Sequence, residues 1–232
     1  MKMWKKSLLI CFWCGTLALS CACAKNYLPV LAEPAKAQDI FIRTFDKSDL
    51  LRLVSEDNPL PKDIKFNIKA LQAPGQSLDI RAADHLERML ADGESQGLSF
   101  VVCSSFRSRE KQETLFQEQM REETVRGLSQ NEAYEAAKKQ VALPGTSEHE
   151  LGLAADIVAR DYQLLDEKQA DTKEAKWLRD NCASYGFILR YPENKRHITG
   201  IIFEPWHFRY VGVEVAKEIM SAGLCLEEYL GR

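Results

Sequence analysis

The chain has 232 residues, of which 45% are hydrophobic and 28% are charged. This balance is typical of a globular protein and is sufficient for one well-buried domain. The formal net charge is −3 and no cluster of basic residues occurs in the body of the chain, which argues against nucleic acid as a partner.

The first 24 residues differ in composition from the rest. Three lysines lie among the first six residues, residues 8–19 form an apolar run, and Ala22-Cys23-Ala24 has the small-x-small pattern of a cleavage site. We therefore expect residues 1–24 to be an export signal and the protein to be exported. Cleavage is favoured over an uncleaved anchor, because about 18 uncharged residues only just reach the length of a membrane span.

Lipidation of Cys21 is the minority alternative, in which the N-terminal segment would hold the protein at the membrane. Loss of residues 1–24 removes three of the 31 basic residues and no acidic one. The remaining 28 basic residues then stand against 34 acidic ones, a formal charge of −6.

Four of the seven cysteines lie in the predicted signal, so only Cys103, Cys182 and Cys225 remain. Their number is odd and their spacing is wide. A disulfide framework is therefore not expected, although one bond among the three stays open after export. We expect these cysteines to be buried hydrophobic residues.

Residues 25–47 are predicted to be a weakly structured tether, and residues 48–232 to be one domain. Within the domain, Ser77, Ser108 and Ser129 are expected to begin helices, the last through the capping box Ser129-Gln130-Asn131-Glu132. Further helices are expected over Thr172–Tyr185 and Val213–Ala222, and short strands over 50–54, 98–103, 187–191, 201–204 and 206–211.

The β-rich run 98–103 is the expected central strand. Strands and helices do not alternate regularly, which favours an α+β fold over a doubly wound sheet. The prediction is a single domain with a small mixed or antiparallel sheet flanked by helices.

The stretch 145–156 carries the first half of a candidate metal site. It contains the imidazole of His149 and, seven residues later, the carboxylate of Asp156. Gly152, Ala154 and Asp156 alternate with strand periodicity, which predicts that they point to one face. Two of them have almost no side chain, so that face has room for a metal ion.

The segment Glu204-Pro205-Trp206-His207 supplies the second half, one more carboxylate and one more imidazole. Two histidines, one aspartate and a neighbouring glutamate are the residues of a catalytic zinc site, with three protein ligands, a water molecule and a general base. His85 is expected to be structural, on an amphipathic helix, and His197 to lie solvated in a polar loop.

Two motifs, Ser147-x-His149-x-x-Gly152-x-Ala154-x-Asp156 and Glu204-x-x-His207, resemble those of the VanY-type zinc D-alanyl-D-alanine carboxypeptidases, which trim bacterial peptidoglycan peptides. The resemblance covers residue 48 to the end and includes segments 58–61, 104–108, 185–187, 190–192 and 204–212. Ser105 and Phe106 stand where the family has Gly and Tyr, which puts in doubt only a role for a tyrosine hydroxyl there.

The resemblance implies a hedgehog- or DD-peptidase-like fold with the zinc cleft on the sheet. It assigns His149, Asp156 and His207 as ligands of one zinc ion and Glu204 as the catalytic base. Arg107 matches the arginine of the family, and a guanidinium binds a terminal carboxylate through two parallel hydrogen bonds.

Four weaker assignments complete the predicted site. Gln112 and Ser147 are expected to donate or accept further hydrogen bonds to the substrate, and Tyr191 to form part of the cleft wall. Trp206 is expected to pack under the site and to hold His207 in orientation.

We therefore expect an exported, cell-wall- or membrane-associated zinc enzyme, monomeric, that removes the terminal D-alanine from peptidoglycan stem peptides. An L,D-carboxypeptidase acting on tetrapeptide stems shares every motif quoted. A non-catalytic cell-wall-binding module is the alternative of another class, and an intact Glu204 counts against it. An endopeptidase is disfavoured if Arg107 faces the scissile end.

Overall fold

A computed structural model describes residues 47–232, which belong to one compact unit, Thr44–Arg232. The predicted export signal and nearly all of the predicted tether lie outside the described residues. Within the described part, no helix is both long enough and apolar enough to span a membrane.

Six strands and seven α-helices make up the described fold, with short 3-10 helices between them. The strands are β1 Ile68–Ala70, β2 Ser77–Asp79, β3 Phe100–Ser104, β4 Ala154–Ala159, β5 Phe187–Leu189 and β6 His207–Tyr210. The helices are α1 Ile80–Ser95, α2 Arg109–Val125, α3 Gln130–Ala137, α4 Lys173–Asn181, α5 Arg196–Thr199, α6 Val213–Ala222 and α7 Leu226–Tyr229.

The main sheet has four antiparallel strands in the order β3-β4-β6-β5, and β1 pairs with β2 in a separate hairpin. The α+β prediction is confirmed. The prediction that 98–103 forms the central strand is wrong, because β3 lies at an edge of the described sheet and β4 and β6 are central. All six residues of β4 are buried, as a central strand with both faces covered requires.

Two of the three helix starts predicted at a capping serine are confirmed. Ser108 accepts a hydrogen bond from the backbone N–H of Lys111, and the capping box of Ser129 and Glu132 is formed. The cap predicted at Ser77 is wrong by two residues. Ser77 lies in β2, and the carboxylate of Asp79 caps α1 instead by accepting from the N–H of Arg81 at 2.9 Å.

Two predicted strands are absent from the described structure. Residues 50–54 form the end of a 3-10 helix, Lys47–Leu51, followed by three residues without regular secondary structure. Residues 201–204 are irregular, and Ile201 and Ile202 are exposed. Apolar residues alone do not make a strand when no neighbouring strand offers hydrogen bonds.

The central strands β4 and β6 separate two faces. Ala155 pairs with Phe208 on one face, which packs against α1 through Leu86 and Met89 in the main hydrophobic core. The opposite face carries polar side chains and, at the β5 edge, a second apolar cluster that includes residues of α6 and α7. The polar face therefore opens onto the candidate site.

Candidate metal centre

A tight turn brings the first ligand to the sheet. Ser147 caps the one-turn 3-10 helix Glu148–Leu151, and its hydroxyl accepts from the N–H of His149 at 3.3 Å. Gly152 ends this helix in the left-handed conformation, with φ of 75°. A Cβ there would lie 3.3 Å from the backbone nitrogen of Asp79, so a glycine suits both the conformation and the space.

The expectation that Gly152 shares a strand face with Ala154 and Asp156 is wrong for the glycine, because β4 begins only at Ala154. Ala154 and Asp156 do lie on one face, as the alternation predicts. Asp156 pairs with His207 and Ala154 pairs with Arg209 in the β4–β6 register. The sheet itself therefore sets the aspartate beside the second histidine.

The three predicted ligands converge. His149 Nε2 lies 3.2 Å from Asp156 Oδ2, and His207 Nδ1 lies 3.1 Å from Asp156 Oδ1. One donor atom from each residue lies within 4.8 Å of the other two. Ligands about 2.0–2.1 Å from a tetrahedral zinc ion stand about 3.3 Å apart, which matches these two distances.

The outer nitrogens of the two imidazoles show that a cation fits between the inner atoms. His149 Nδ1 lies 2.8 Å from the carbonyl oxygen of Ser105, and His207 Nε2 lies 3.4 Å from Oε2 of Glu148. Each of these nitrogens faces an acceptor and can donate a proton to it, which leaves the inner nitrogen free to bind a metal when the ring is neutral. The inner nitrogens then direct lone pairs at the carboxylate of Asp156, an arrangement that a bound metal ion satisfies.

Burial and charge act on the pKa values of the three candidate ligands in different directions. Burial lowers the pKa of His149 below its usual 6.5, which favours the neutral, metal-binding form. Burial would also lower the pKa of His207, but hydrogen bonds to Asp156 and Glu148 outweigh it and raise that pKa to about 9. Burial would raise the pKa of Asp156, yet the two histidines hold it well below its usual range.

Glu204, the predicted base, lies beside this cluster. Its Oε2 lies 3.7 Å from His207 Nδ1, the inner nitrogen, and its backbone N–H donates to the carbonyl of Tyr191 at 3.1 Å. Burial raises the pKa of Glu204 to about 7, against the opposing effect of His207 and with a further contribution from the charge of Asp156. A carboxylate with such a pKa can both accept and return a proton near neutral pH.

Arg107 follows β3 and lies in the same region. Its backbone N–H donates to the carbonyl of His149 at 3.1 Å, and the charges of Asp156 and Glu204 act on its guanidinium. Arg107 Nε is buried and finds no hydrogen-bond partner among residues 47–232. A buried donor of this kind suits a ligand acceptor such as a carboxylate.

The remaining predicted site residues divide by their contacts. The ring of Tyr191 is half-buried with its centroid 4.9 Å from that of His207, so it borders the cluster. Gln112 is fully buried, and its amide nitrogen donates to the carbonyl of Ala142 at 2.7 Å. Ser147 caps the turn described above. The substrate contacts proposed for these residues stay predictions.

Trp206 is buried, and its carbonyl accepts from the N–H of Ile157 at 2.9 Å. The outer nitrogen of His207, however, faces Glu148, which the sequence analysis did not select. Glu148 in turn forms ion pairs with Arg190 and Arg209, both at 2.8 Å. One available signal was Arg209 itself, a charged residue inside the otherwise apolar strand segment Phe-Arg-Tyr-Val.

The other histidines and the cysteines of residues 47–232 contribute no donor atom to the candidate metal cluster, although the thiol of Cys103 donates to the backbone carbonyl of Asp156 at 3.4 Å. His85 packs in α1 with its ring centroid 5.1 Å from that of Tyr210, and His197 is exposed, both as expected. All three cysteines among the described residues are free. Cys182 and Cys225 are buried as predicted, whereas Cys103 is exposed because it lies on the edge strand β3.

Comparison with known proteins agrees with this geometry. Residues 75–213 match the family model described as VanY, D-alanyl-D-alanine carboxypeptidase. A D-alanyl-D-alanine carboxypeptidase of Enterococcus faecalis is 39% identical over 180 residues, which cover 78% of this chain and 65% of that protein. The chain thus spans about two thirds of the length of that relative.

Two solved structures share the fold. A D,D-pentapeptidase VanY variant from a VanB-type vancomycin-resistance cassette, in complex with Zn(II), is 40% identical with a TM-score of 0.68, covering 78% of this chain and 99% of that one. The LD-carboxypeptidase LdcB is 34% identical with a TM-score of 0.66, covering 80% and 87%. The match to the family model and the sequence identity to these proteins show that this chain belongs to the VanY family.

Proposed function

We propose that the protein is a zinc-dependent D-alanyl-D-alanine carboxypeptidase that removes the terminal D-alanine from peptidoglycan stem peptides. The observation that carries the proposal is the convergence of His149, Asp156 and His207, with Glu204 Oε2 3.7 Å from the inner nitrogen of His207. The names of the enterococcal relative and of the zinc-containing pentapeptidase support the same reaction and the same metal.

The zinc ion would be held by His149 Nε2, His207 Nδ1 and Asp156. When bound, it acidifies a water molecule and polarises the scissile carbonyl. The chain supplies the proton transfers: Glu204 takes the proton of the attacking water and returns it to the amino group of the departing D-alanine. The raised pKa of Glu204, about 7, suits it to both steps.

Arg107 provides the selection for a chain end. Its guanidinium, with a buried donor that has no partner among residues 47–232, would bind the terminal carboxylate of the peptide. A fixed carboxylate places the last peptide bond, and no other, at the reacting position. This favours a carboxypeptidase over an endopeptidase.

The test combines metal analysis with product analysis. Purified protein should contain one zinc per chain and release D-alanine from a pentapeptide stem, leaving the tetrapeptide. Release of D-alanine from the tetrapeptide stem instead would reassign the protein as an L,D-carboxypeptidase, the activity named for LdcB. Absence of zinc at stoichiometric level would contradict the proposal altogether.

A non-catalytic cell-wall-binding module needs the fold but no base. Glu204 is intact, and burial holds its pKa near the value that proton transfer requires. A binding module would bind stem peptides without releasing D-alanine, so the same product analysis separates the two functions.

We further propose that the enzyme is exported and acts as a monomer at the cell wall. The support is the basic, apolar and small-x-small pattern of residues 1–24, together with the peptidoglycan substrate proposed above. Cell fractionation and the mass of the mature chain would test this. A cytoplasmic protein that retains residues 1–24 would contradict it.

A further inference from the structure

Glu148 is a buried carboxylate whose position the proposed reaction does not explain. It precedes the ligand His149 in the 3-10 helix Glu148–Leu151, and it is only 3% exposed. Successive side chains in such a helix point about 120° apart, since it has three residues per turn. Glu148 therefore points away from Asp156 when His149 points toward it.

The carboxylate of Glu148 instead meets the second histidine from outside. Its Oε2 lies 3.4 Å from Nε2 of His207, the nitrogen opposite the one that faces Asp156. His207 pairs in the sheet with Asp156, and this pairing sets where the backbone of the histidine lies. It does not set the rotation of the ring or which nitrogen carries the proton. The contact with Glu148 acts on both.

Two arginines hold Glu148 in this position. Its Oε1 lies 2.8 Å from Arg190 Nε and 2.8 Å from Arg209 Nη1, and both arginines are at most 2% exposed. Arg209 follows His207 by two residues in β6, so the two side chains lie on the same face of the strand. The backbone N–H of Arg190 donates to the carbonyl of His207 at 3.1 Å. One arginine thus lies in the strand of the histidine, and the backbone of the other is hydrogen-bonded to that strand.

The network ends in the C-terminal helix α7. Glu227 accepts two hydrogen bonds from Arg190, at 2.9 and 2.6 Å, and so forms a bidentate pair. Arg209 also donates to the carbonyls of Leu50 and Arg52, each at 3.0 Å. Two carboxylates balance two guanidinium groups, so the network is neutral as a whole and extends from the second histidine to both ends of the domain.

We propose that Glu148 is the positioning residue for His207: it fixes the ring with the proton on Nε2, so that Nδ1 is the nitrogen offered to the metal. Arg190 and Glu227 act behind it by fixing Glu148. This inference rests on the proposed zinc site. It explains why the sequence places an acid directly before the ligand His149, because one turn of helix then supplies a ligand and also the outer partner of the other histidine.

A spectroscopic measurement tests the proposal without any substitution. Long-range proton–nitrogen correlation spectra of the zinc-loaded parent protein, labelled with ¹⁵N at histidine, report which ring nitrogen is protonated. We expect His207 to carry its proton on Nε2 and to bind zinc through Nδ1. Coordination through Nε2 would overturn the proposal. A parent that binds no zinc would remove the proposed function and this inference together.

The variant Glu148→Gln then measures how much Glu148 contributes to zinc affinity. We expect its zinc affinity, determined by competition with a chromogenic chelator, to fall about 10- to 100-fold, as for other partners of ligating histidines. Glu227→Gln leaves Glu148 in place and should lower the zinc affinity by less than about tenfold. Parent-like affinity in folded Glu148→Gln, with an unchanged His207 spectrum, would overturn only this inference and leave the proposed function intact.

Glu174→Gln is the matched control, because it removes the charge of a buried glutamate far from the site. Glu174 accepts from the N–H of Ser99, next to Phe100, which pairs with Ala159 at the other end of β4 from Asp156. Its zinc affinity should equal that of the parent. If Glu148→Gln does not fold, the parent spectrum and the zinc affinity of Glu227→Gln still test the proposal. An unchanged affinity in Glu227→Gln would exclude the role of Glu227.

Discussion

The two faces of the strand pair β4–β6 differ in chemistry, although successive residues of the same two strands supply both. Ala155 and Phe208 point into the apolar core, where they are fully buried. Their neighbours in sequence, Asp156 and His207, are nearly as buried, at 6% and 5% exposed, but they point toward the candidate site. Burial is therefore similar on both faces, and only the means of stabilisation differs.

The core face is complete without a ligand, because apolar side chains are stabilised by leaving water. The site face is stabilised by polar contacts instead, since the inner nitrogens of His149 and His207 both face the carboxylate of Asp156. The difference implies that folding stability and metal binding depend on separate residues. Substitutions on each face can break or sharpen that separation.

The largest effect is expected for Glu204→Gln. The amide cannot accept the proton of the attacking water, and general bases contribute about 10²- to 10⁴-fold to such reactions. We expect kcat for D-alanine release to fall by that factor, with zinc content unchanged, since Glu204 is not one of the three converging ligands. Metal analysis of the same samples used for the kinetics checks both statements.

Glu193→Gln is the control for this substitution, because Glu193 is an exposed glutamate in the same region of the chain. It should retain parent activity. Hydrolysis by Glu204→Gln at the parent rate would show that another group is the base.

The core face is tested by Leu86→Ala. Leu86 is fully buried in the main core, and removal of a buried leucine side chain costs about 2–5 kcal/mol of unfolding free energy. We expect that loss in denaturant unfolding while zinc affinity of the folded protein stays at the parent value.

Val125→Ala serves as the matched apolar control, since Val125 is 83% exposed at the end of α2 and should change stability by less than about 0.5 kcal/mol. A large fall in zinc affinity in Leu86→Ala would mean that the two faces are not separable.

A smaller effect is expected for Arg107→Lys. An ammonium keeps the charge but loses the two parallel hydrogen bonds that a guanidinium donates to a carboxylate, a difference of about 1.5–3 kcal/mol. We expect kcat/KM on pentapeptide stems to fall about 10- to 100-fold, following that energy. An amidated substrate, which lacks the terminal carboxylate, should show little difference between the parent and the variant. Equal losses on both substrates would exclude Arg107 as the carboxylate partner.

Much of the site could be predicted because its residues are recognisable by chemistry. The motifs that carry His149, Asp156, Glu204 and His207 are recognisable in the sequence, and the sheet register places Asp156 opposite His207. The helix starts at Ser108 and Ser129 could also be predicted, since a cap is a local interaction. Strand order was not, because it depends on partners distant in sequence.

The outer contacts of the site could not be predicted from local patterns. Glu148 meets His207 across 59 residues of sequence, and its arginine partners lie directly after β5 and within β6. An acid next to a ligand suggests a role at the metal, whereas the structure turns it toward the other histidine. Similarly, the edge position of β3 exposes Cys103, which composition alone predicts to be buried.

The smallest expected effect is a gradual fall of kcat/KM at low pH. Burial raises the pKa of Glu204 to about 7 in the absence of metal, and a bound cation lowers it by stabilising the carboxylate. Only the ionised form can accept a proton, so kcat/KM should fall about tenfold per pH unit below a midpoint at or under pH 7. The residual activity of Glu204→Gln should lack this limb, because the titrating group is gone. Profiles of kcat/KM between pH 5 and 9, at saturating zinc, measure the acid limb in the parent and in the variant. An acid limb that persists unchanged in the variant would assign the titration to the metal ligands and would leave Glu204 without the role of base.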